Sequence, residues 1–249
     1  MSGLDLESLL LIAMAFAVGG TLKGATGAGA PLVAVPVLAL VFDVQTAVAL
    51  FVVPNIATNG IQLIQYRKSD KKRKFSWAFA IAGLVGAGVG TALLATLSSD
   101  TLMLTVALVV VIYISFRLAR PQWKLDMSWA NRLVVPMGTL GGILQGAAGI
   151  SAPISITFLN AIRLDRPQFI ATISLFFFLF CFSQLPLQIW YGIMNWERFI
   201  QSCAAVLPLI AFMPVGAMIG KRLSPIVFDR VMLGLLALLA ARMIWNFFS

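Results

Sequence analysis

At 249 residues, 60% hydrophobic and only 11% charged, the chain does not have the composition of a soluble globule. Apolar runs of about 17 residues or more follow one another almost without pause, as membrane-spanning helices do. The net charge of +9 sits in loops between those runs, a positive-inside pattern and not a nucleic-acid surface. With no histidine, the commonest metal ligand and the usual near-neutral proton shuttle are missing, so no metal or other cofactor is expected.

Ten apolar segments are read in chain order. They fall at 6–22, 28–42, 45–66, 75–97 and 101–119, then at 129–145, 150–162, 167–191, 197–220 and 226–247. Asp5 and Glu7 stand where a cleavable signal would carry cations, so none is expected. The second and seventh segments are short. Roughly 14 helical residues cover about 21 Å against a hydrocarbon core of about 30 Å, which suits re-entrant limbs or half-helices. Cys181 and Cys203 lie in apolar segments without motif spacing and read as small core residues.

The loop Arg67-Lys68-Ser69-Asp70-Lys71-Lys72-Arg73-Lys74 carries six cations and is placed in the cytoplasm. Alternation from that anchor puts Asp43 and Asp100 outside, Arg117, Arg120, Lys124 and Arg132 inside, and Arg163 and Arg166 inside. Glu197 and Arg198 then fall outside, Lys221, Arg222 and Arg230 inside, and both termini external. Of the 18 Lys and Arg residues, all but Lys23, Arg198 and Arg242 come out cytoplasmic.

One unusual stretch, Lys23-Gly24-Ala25-Thr26-Gly27-Ala28-Gly29-Ala30-Pro31, sits between the first two segments. A variant recurs at Gln145-Gly146-Ala147-Ala148-Gly149-Ile150-Ser151-Ala152-Pro153, spaced by 122 residues (146 − 24 and 153 − 31). Asp43 and Asp165 share that spacing, and Gly86–Gly90 resembles Gly216–Gly220 at a spacing of 130. The expected architecture is an all-α polytopic membrane protein of two repeats, residues 1–120 and 121–249, in one membrane unit. Five segments per repeat is an odd number, so the repeats face opposite ways across the bilayer, as in many secondary transporters.

Each repeat then opens with a helical hairpin whose turn is glycine-rich, and the two turns are expected to approach the midplane from opposite faces. Bare backbone at that depth must face protein or a water-filled cavity. Pro31 and Pro153 suit a first helical turn, and Thr26 and Ser151 are candidate caps. Gly24, Gly27, Gly29, Gly146 and Gly149 let the chain bend and let a ligand approach the backbone. Two helix N-termini and the charge of Lys23 would together suit an anion. The other reading of Lys23 is an anchor whose ammonium snorkels to the interface. Gln145, its counterpart, is polar but neutral.

In the third segment Asn55, Asn59 and Gln62 share one helical face, with Thr58 beside them and Pro54 before them. The corresponding stretch holds Phe176, Phe177, Phe178, Cys181, Ser183, Gln184, Pro186 and Gln188, with Gln184 matching Gln62. Such amides either bind substrate or tie helices together.

With GATGAGAPL and GAAGISAPI at the two turns, the whole chain resembles the sulfite exporter TauE/SafE family of membrane transporters. It departs from that family's fuller glycine run at Ala28, Ala30, Ile150 and Ser151. The resemblance implies export of small anions such as sulfite, sulfoacetate or other organosulfonates across a bacterial cytoplasmic (inner) membrane. The expected substrate-binding set is Lys23, Gly24, Thr26, Gly27, Gly29, Asn55, Asn59, Gln62, Gln145, Gly146, Gly149, Ser151 and Gln184. The expected partners are the small anion and the lipid bilayer. An anion channel and a non-transporting membrane scaffold are the alternatives. An intramembrane enzyme is disfavoured, because no histidine exists and every carboxylate falls at a segment end or in a loop.

Overall fold

The computed structural model describes residues 6–119 and 124–222, together with the single positions 234, 237, 238, 241, 244 and 245. Apart from those six positions the tenth expected segment, 226–247, lies outside the described residues, as do Asp5, Arg120, Arg230 and Arg242. The side chains of Glu7, Arg117, Lys221 and Arg222 lie outside them too.

Nine α-helices run through the described residues: α1 (Leu6–Thr26), α2 (Ala30–Val41), α3 (Val44–Tyr66), α4 (Arg73–Thr96), α5 (Ser99–Ala119), α6 (Met127–Ala148), α7 (Ser155–Ala161), α8 (Arg166–Trp190) and α9 (Trp196–Arg222). Five stretches are long and apolar enough to cross a membrane: Val44–Ser69, Arg73–Thr96, Ser99–Phe116, Arg166–Trp190 and Trp196–Gly220. The 21 residues of α1 reach about 31 Å. The 12 residues of α2 and 7 of α7 reach only about 18 and 10 Å, too short to cross a 30 Å core.

Local chemistry sets the helix ends. The Asp43 carboxylate caps α3 by accepting from the Thr46 N–H at 2.8 Å and from its hydroxyl at 2.7 Å. Helices α1 and α6 stop alike. Gly27 and Gly149 take left-handed conformations, φ 87° and 69°, and their N–H groups donate back to the Lys23 and Gln145 carbonyls at 2.7 and 2.9 Å. A side chain at either position would meet the left-handed steric penalty, which is why the turn is glycine. Pro54 cannot donate to the Leu50 carbonyl inside α3. Ser202 of α9 donates to that oxygen instead, at 2.8 Å.

Helix packing inverts the pattern of a soluble protein. On α4 the large Ile81, Val85 and Val89 point outward, while Gly83, Gly86, Ala87 and Gly90 are turned towards protein. In lipid, large side chains gain little by leaving the surface, and small ones let helix backbones approach closely. A β-carbon on Gly142 or Gly146 of α6 would run into the Gly83 or Ala87 carbonyl of α4. On Gly20 or Gly24 of α1 it would run into the Leu209 or Met213 carbonyl of α9. Helix α8 also packs on α4 and α3, and α3 on α9.

These contacts repeat. Gly20 and Gly24 stand 122 residues before Gly142 and Gly146, and their partners are spaced by 126 (209 − 83 and 213 − 87). The Gly90 contact with the Ile143 carbonyl matches that of Gly216 with the Thr21 carbonyl at the same two spacings. Ser76 meets Thr172 at 2.9 Å as Ser202 meets Leu50. The spacing of 130 suggested by the Gly86–Gly90 and Gly216–Gly220 motifs is therefore one helical turn out of register with the contacts. The motifs look alike because small residues recur every four positions along both helices.

Candidate functional site

Helices α3 and α8 pass one another in opposite directions. Gly60 lies against Phe178, and Gln62 accepts a hydrogen bond from Ser174 at 3.0 Å. The start of α8 reaches the loop after α3, where Gln168 accepts from the Lys71 N–H at 2.6 Å and donates to Asp70 at 2.8 Å.

Lys23, in the last turn of α1, points into this crossing. It is 1% exposed, so its ammonium does not reach a surface. It donates to Asn59 Oδ1 at 2.8 Å. The Asn59 amide in turn donates to the Asn55 backbone and side-chain oxygens at 2.7 and 2.6 Å. On the other side, the ammonium lies 5.7 Å from the centre of the Phe177 ring in α8. Asn59 is about 10 Å from the C-terminal end of α3, and Phe177 about 16 Å from the start of α8, so the charge lies well inside the helical layer. Phe177 and Cys181 occupy the places in α8 that Asn55 and Asn59 occupy in α3, each 122 residues on. The lysine thus sits between an amide wall and its apolar counterpart.

The described carboxylates stand at helix starts or in loops: Asp43, Asp100, Asp126, Asp165 and Glu197 at the starts, Asp70 between α3 and α4. The nearest polar group of Lys23 is neutral, and a lysine has three N–H donors. Buried cations are ordinarily paired, so this arrangement is suited to receiving a negative group.

The remaining sequence candidates divide. Gln145 and Gln184 come together, with Gln184 Nε2 donating to the Gln145 carbonyl at 3.4 Å and Gln145 Nε2 to the Gly149 carbonyl at 3.0 Å. Gln62 is held by Ser174 and ties α3 to α8. Gly24 and Gly146 face the backbones of α9 and α4, so their missing side chains serve helix packing. The turns do not face one another across an open space. Gly27 packs on Ile170 of α8, and Gly149 on Val35 of α2 and Val48 of α3.

Two capping expectations also change. Thr26 Oγ1 accepts from the Ala28 and Gly29 N–H groups at 3.2 and 3.1 Å, so those donors are already engaged. Gly29 is the cap residue of α2, and Pro31 lies in its first turn as expected. Pro153 lies outside α7, which begins two residues later. The Ser151 hydroxyl accepts from Ser155 Oγ at 2.9 Å and caps no N–H. Phe177, Cys181 and Ser174 were not expected at the site. The 122-residue spacing applied to Asn55 and Asn59 points to the first two.

The class so defined is a polytopic helical membrane protein with a buried cation at the crossing of two central helices. The chain matches the sequence profile of the sulfite exporter TauE/SafE family over residues 11–243 and belongs to that family, one of membrane transporters. No curated protein and no solved structure matches it.

Proposed function

We propose that the chain is a secondary transporter, acting as an exporter, of small anions such as sulfite or organosulfonates. The observation that carries this reading is Lys23, an ammonium inside the helical layer whose hydrogen-bond partner is a neutral amide. Desolvating an unpaired ion costs several kcal/mol, and an arriving oxyanion offsets that cost by accepting its spare N–H bonds. Asn55 holds Asn59, and Asn59 holds the ammonium in place. Phe177 lines the opposite wall with its ring face.

Transport works by alternating access between two inverted halves, residues 1–120 and 121–249. The paired contacts at spacings of 122 and 126 support halves of like build. The shortness of α2 and α7 supports a re-entrant hairpin at the start of each half. Access alternates about the α3–α8 crossing, where the cation lies, and not between two turns meeting at the midplane. The basic loop 67–74 faces the cytoplasm of a bacterial inner membrane, and both termini are external. The reading is of a transporter and not an enzyme.

The test is flux of sulfite, sulfonates, sulfate and carboxylates in proteoliposomes of the purified chain. Saturable flux with counter-transport is expected for at least one oxyanion. Flux proportional to concentration without counter-transport would make the protein an anion channel. No flux of any of them would leave a scaffold and overturn the reading.

A further inference from the structure

Gln188 belongs to no interaction described above, yet it is fully buried, and neither its amide nitrogen nor its amide oxygen has a partner among the described residues. It lies one turn beyond Gln184 on the same face of α8. Its backbone is held, because Met194 N–H donates to its carbonyl at 2.9 Å. One turn nearer, Gln184 reaches Gln145. The Gln145 amide is oriented by its bond to the Gly149 carbonyl, and that bond turns Oε1 away, buried and also unpartnered. Gly149 packs beside Val48, near the start of α3, and the antiparallel crossing brings the end of α8 to that same side. Gln188 thus lies one helical turn from the side chain that reaches Gln145. A buried polar group with no partner costs about 1–3 kcal/mol, so three free polar atoms on Gln145 and Gln188, linked through Gln184, point to a ligand that supplies the missing partners.

We infer that Gln145, Gln184 and Gln188 form a second, uncharged substrate subsite that binds the protonated form of a small oxyanion. The chemistry follows from the free atoms. Two carbonyl oxygens need a donor, and one NH2 group needs an acceptor. A small acid with both an O–H and a free oxygen, such as hydrogen sulfite, satisfies both. A fully deprotonated oxyanion or a sulfonate offers acceptors alone. Gln145 occupies in α6 the position of Lys23 in α1, so the two halves present a charged station and a neutral one at related places. The inference rests on the transport reading above and adds to it the protonation state that passes the neutral station.

The experiment compares kcat/KM for sulfite and for methanesulfonate in proteoliposomes, at a pH where hydrogen sulfite predominates. Gln188→Met is close in volume and removes only the amide. It is expected to lower the sulfite value roughly tenfold relative to the methanesulfonate value. Lys23→Gln is expected to lower both together. An unchanged ratio in Gln188→Met overturns the subsite while leaving transport intact. A second readout needs no flux: hydrogen sulfite at acidic pH raises the melting temperature of the purified wild-type chain more than methanesulfonate does, and Gln188→Met loses the difference. Equal shifts in the wild type overturn the inference. A wild type that moves no anion but keeps the selective shift retains the subsite and loses the transport reading.

Discussion

Replacing Lys23 by methionine separates a substrate site from a structural anchor, because the two readings predict opposite signs for stability. The ammonium is 1% exposed and hydrogen-bonded to Asn59 Oδ1 at 2.8 Å. Removing it relieves the desolvation of a buried ion, worth several kcal/mol. It also leaves the Asn59 oxygen unpaired, at a cost of about 1–3 kcal/mol, while methionine fills most of the vacated volume for under about 1.5 kcal/mol. Against a relief of about 5 kcal/mol, mid-range costs of about 3 kcal/mol leave the substrate-free protein about 2 kcal/mol more stable. For a chain of this size that is a rise of up to about 4–8 °C in melting temperature. Anion flux should fall by about ten- to a hundredfold, the equivalent of a lost charge-assisted hydrogen bond of about 1.5–3 kcal/mol. Thermal unfolding of purified protein and flux in proteoliposomes measure the two quantities on one preparation. A protein that melts several degrees lower yet transports normally would refute the reasoning and make Lys23 an anchor.

Three further outcomes are expected. Single cysteines at Asp43 and Arg163, labelled in intact cells with a membrane-impermeant reagent, should react from outside at Asp43 alone; labelling at both would remove the inverted arrangement. Gly24→Val should destabilise the fold by about 1–3 kcal/mol or more, because its β-carbon meets the Met213 carbonyl. Gly192→Ala, at φ 72° with open space around it, should cost only about 1 kcal/mol of left-handed strain, and equal melting temperatures for the two would undo the packing account. Ser202→Ala should cost about 1 kcal/mol by freeing the Leu50 carbonyl beside Pro54, and an unchanged melting temperature would show that carbonyl to be satisfied otherwise.

The nine helices were legible because lipid imposes a simple rule on sequence: long apolar runs, interrupted by charge. Asp43 and the basic loop 67–74 bracket α3 to within a residue or two of its expected ends. The turn glycines were legible as helix stops, and Gly27 and Gly149 are the two that adopt the left-handed conformation. What those glycines face was not legible. Small residues serve close packing and ligand access equally well, and only the structure shows Gly24 and Gly146 against neighbouring helix backbones. The same ambiguity produced the motif match at 130, since a glycine stripe matches itself again one turn along. Polar side chains were visible, but not their pairing. Gln62 and Gln184 correspond in sequence, yet one is bound by a serine of α8 while the other touches the backbone of α6.

That divergence bears on mechanism. Two identical halves would present the same chemistry to both sides of the membrane, and a substrate would meet no difference between entering and leaving. Here positions 122 residues apart share packing and not polarity: Gly24 and Gly146 each admit a neighbouring helix backbone, whereas Lys23 is matched by Gln145, and Asn55 and Asn59 by Phe177 and Cys181. On the proposed transport reading, a charged station flanked by amides holds an anion more strongly than a neutral station can, because the ammonium bond is charge-assisted. Since a bound species must also leave, a substrate that passes to the neutral station sheds the strongest interaction on its path and gains by carrying a proton of its own. On that reading the asymmetry would supply a gradient of affinity across a scaffold whose helix contacts are nearly symmetric. It also predicts that Gln145→Lys, which restores the charge to both halves, should tighten anion binding and slow turnover. A lower KM with an unchanged kcat would show that release does not depend on the missing charge.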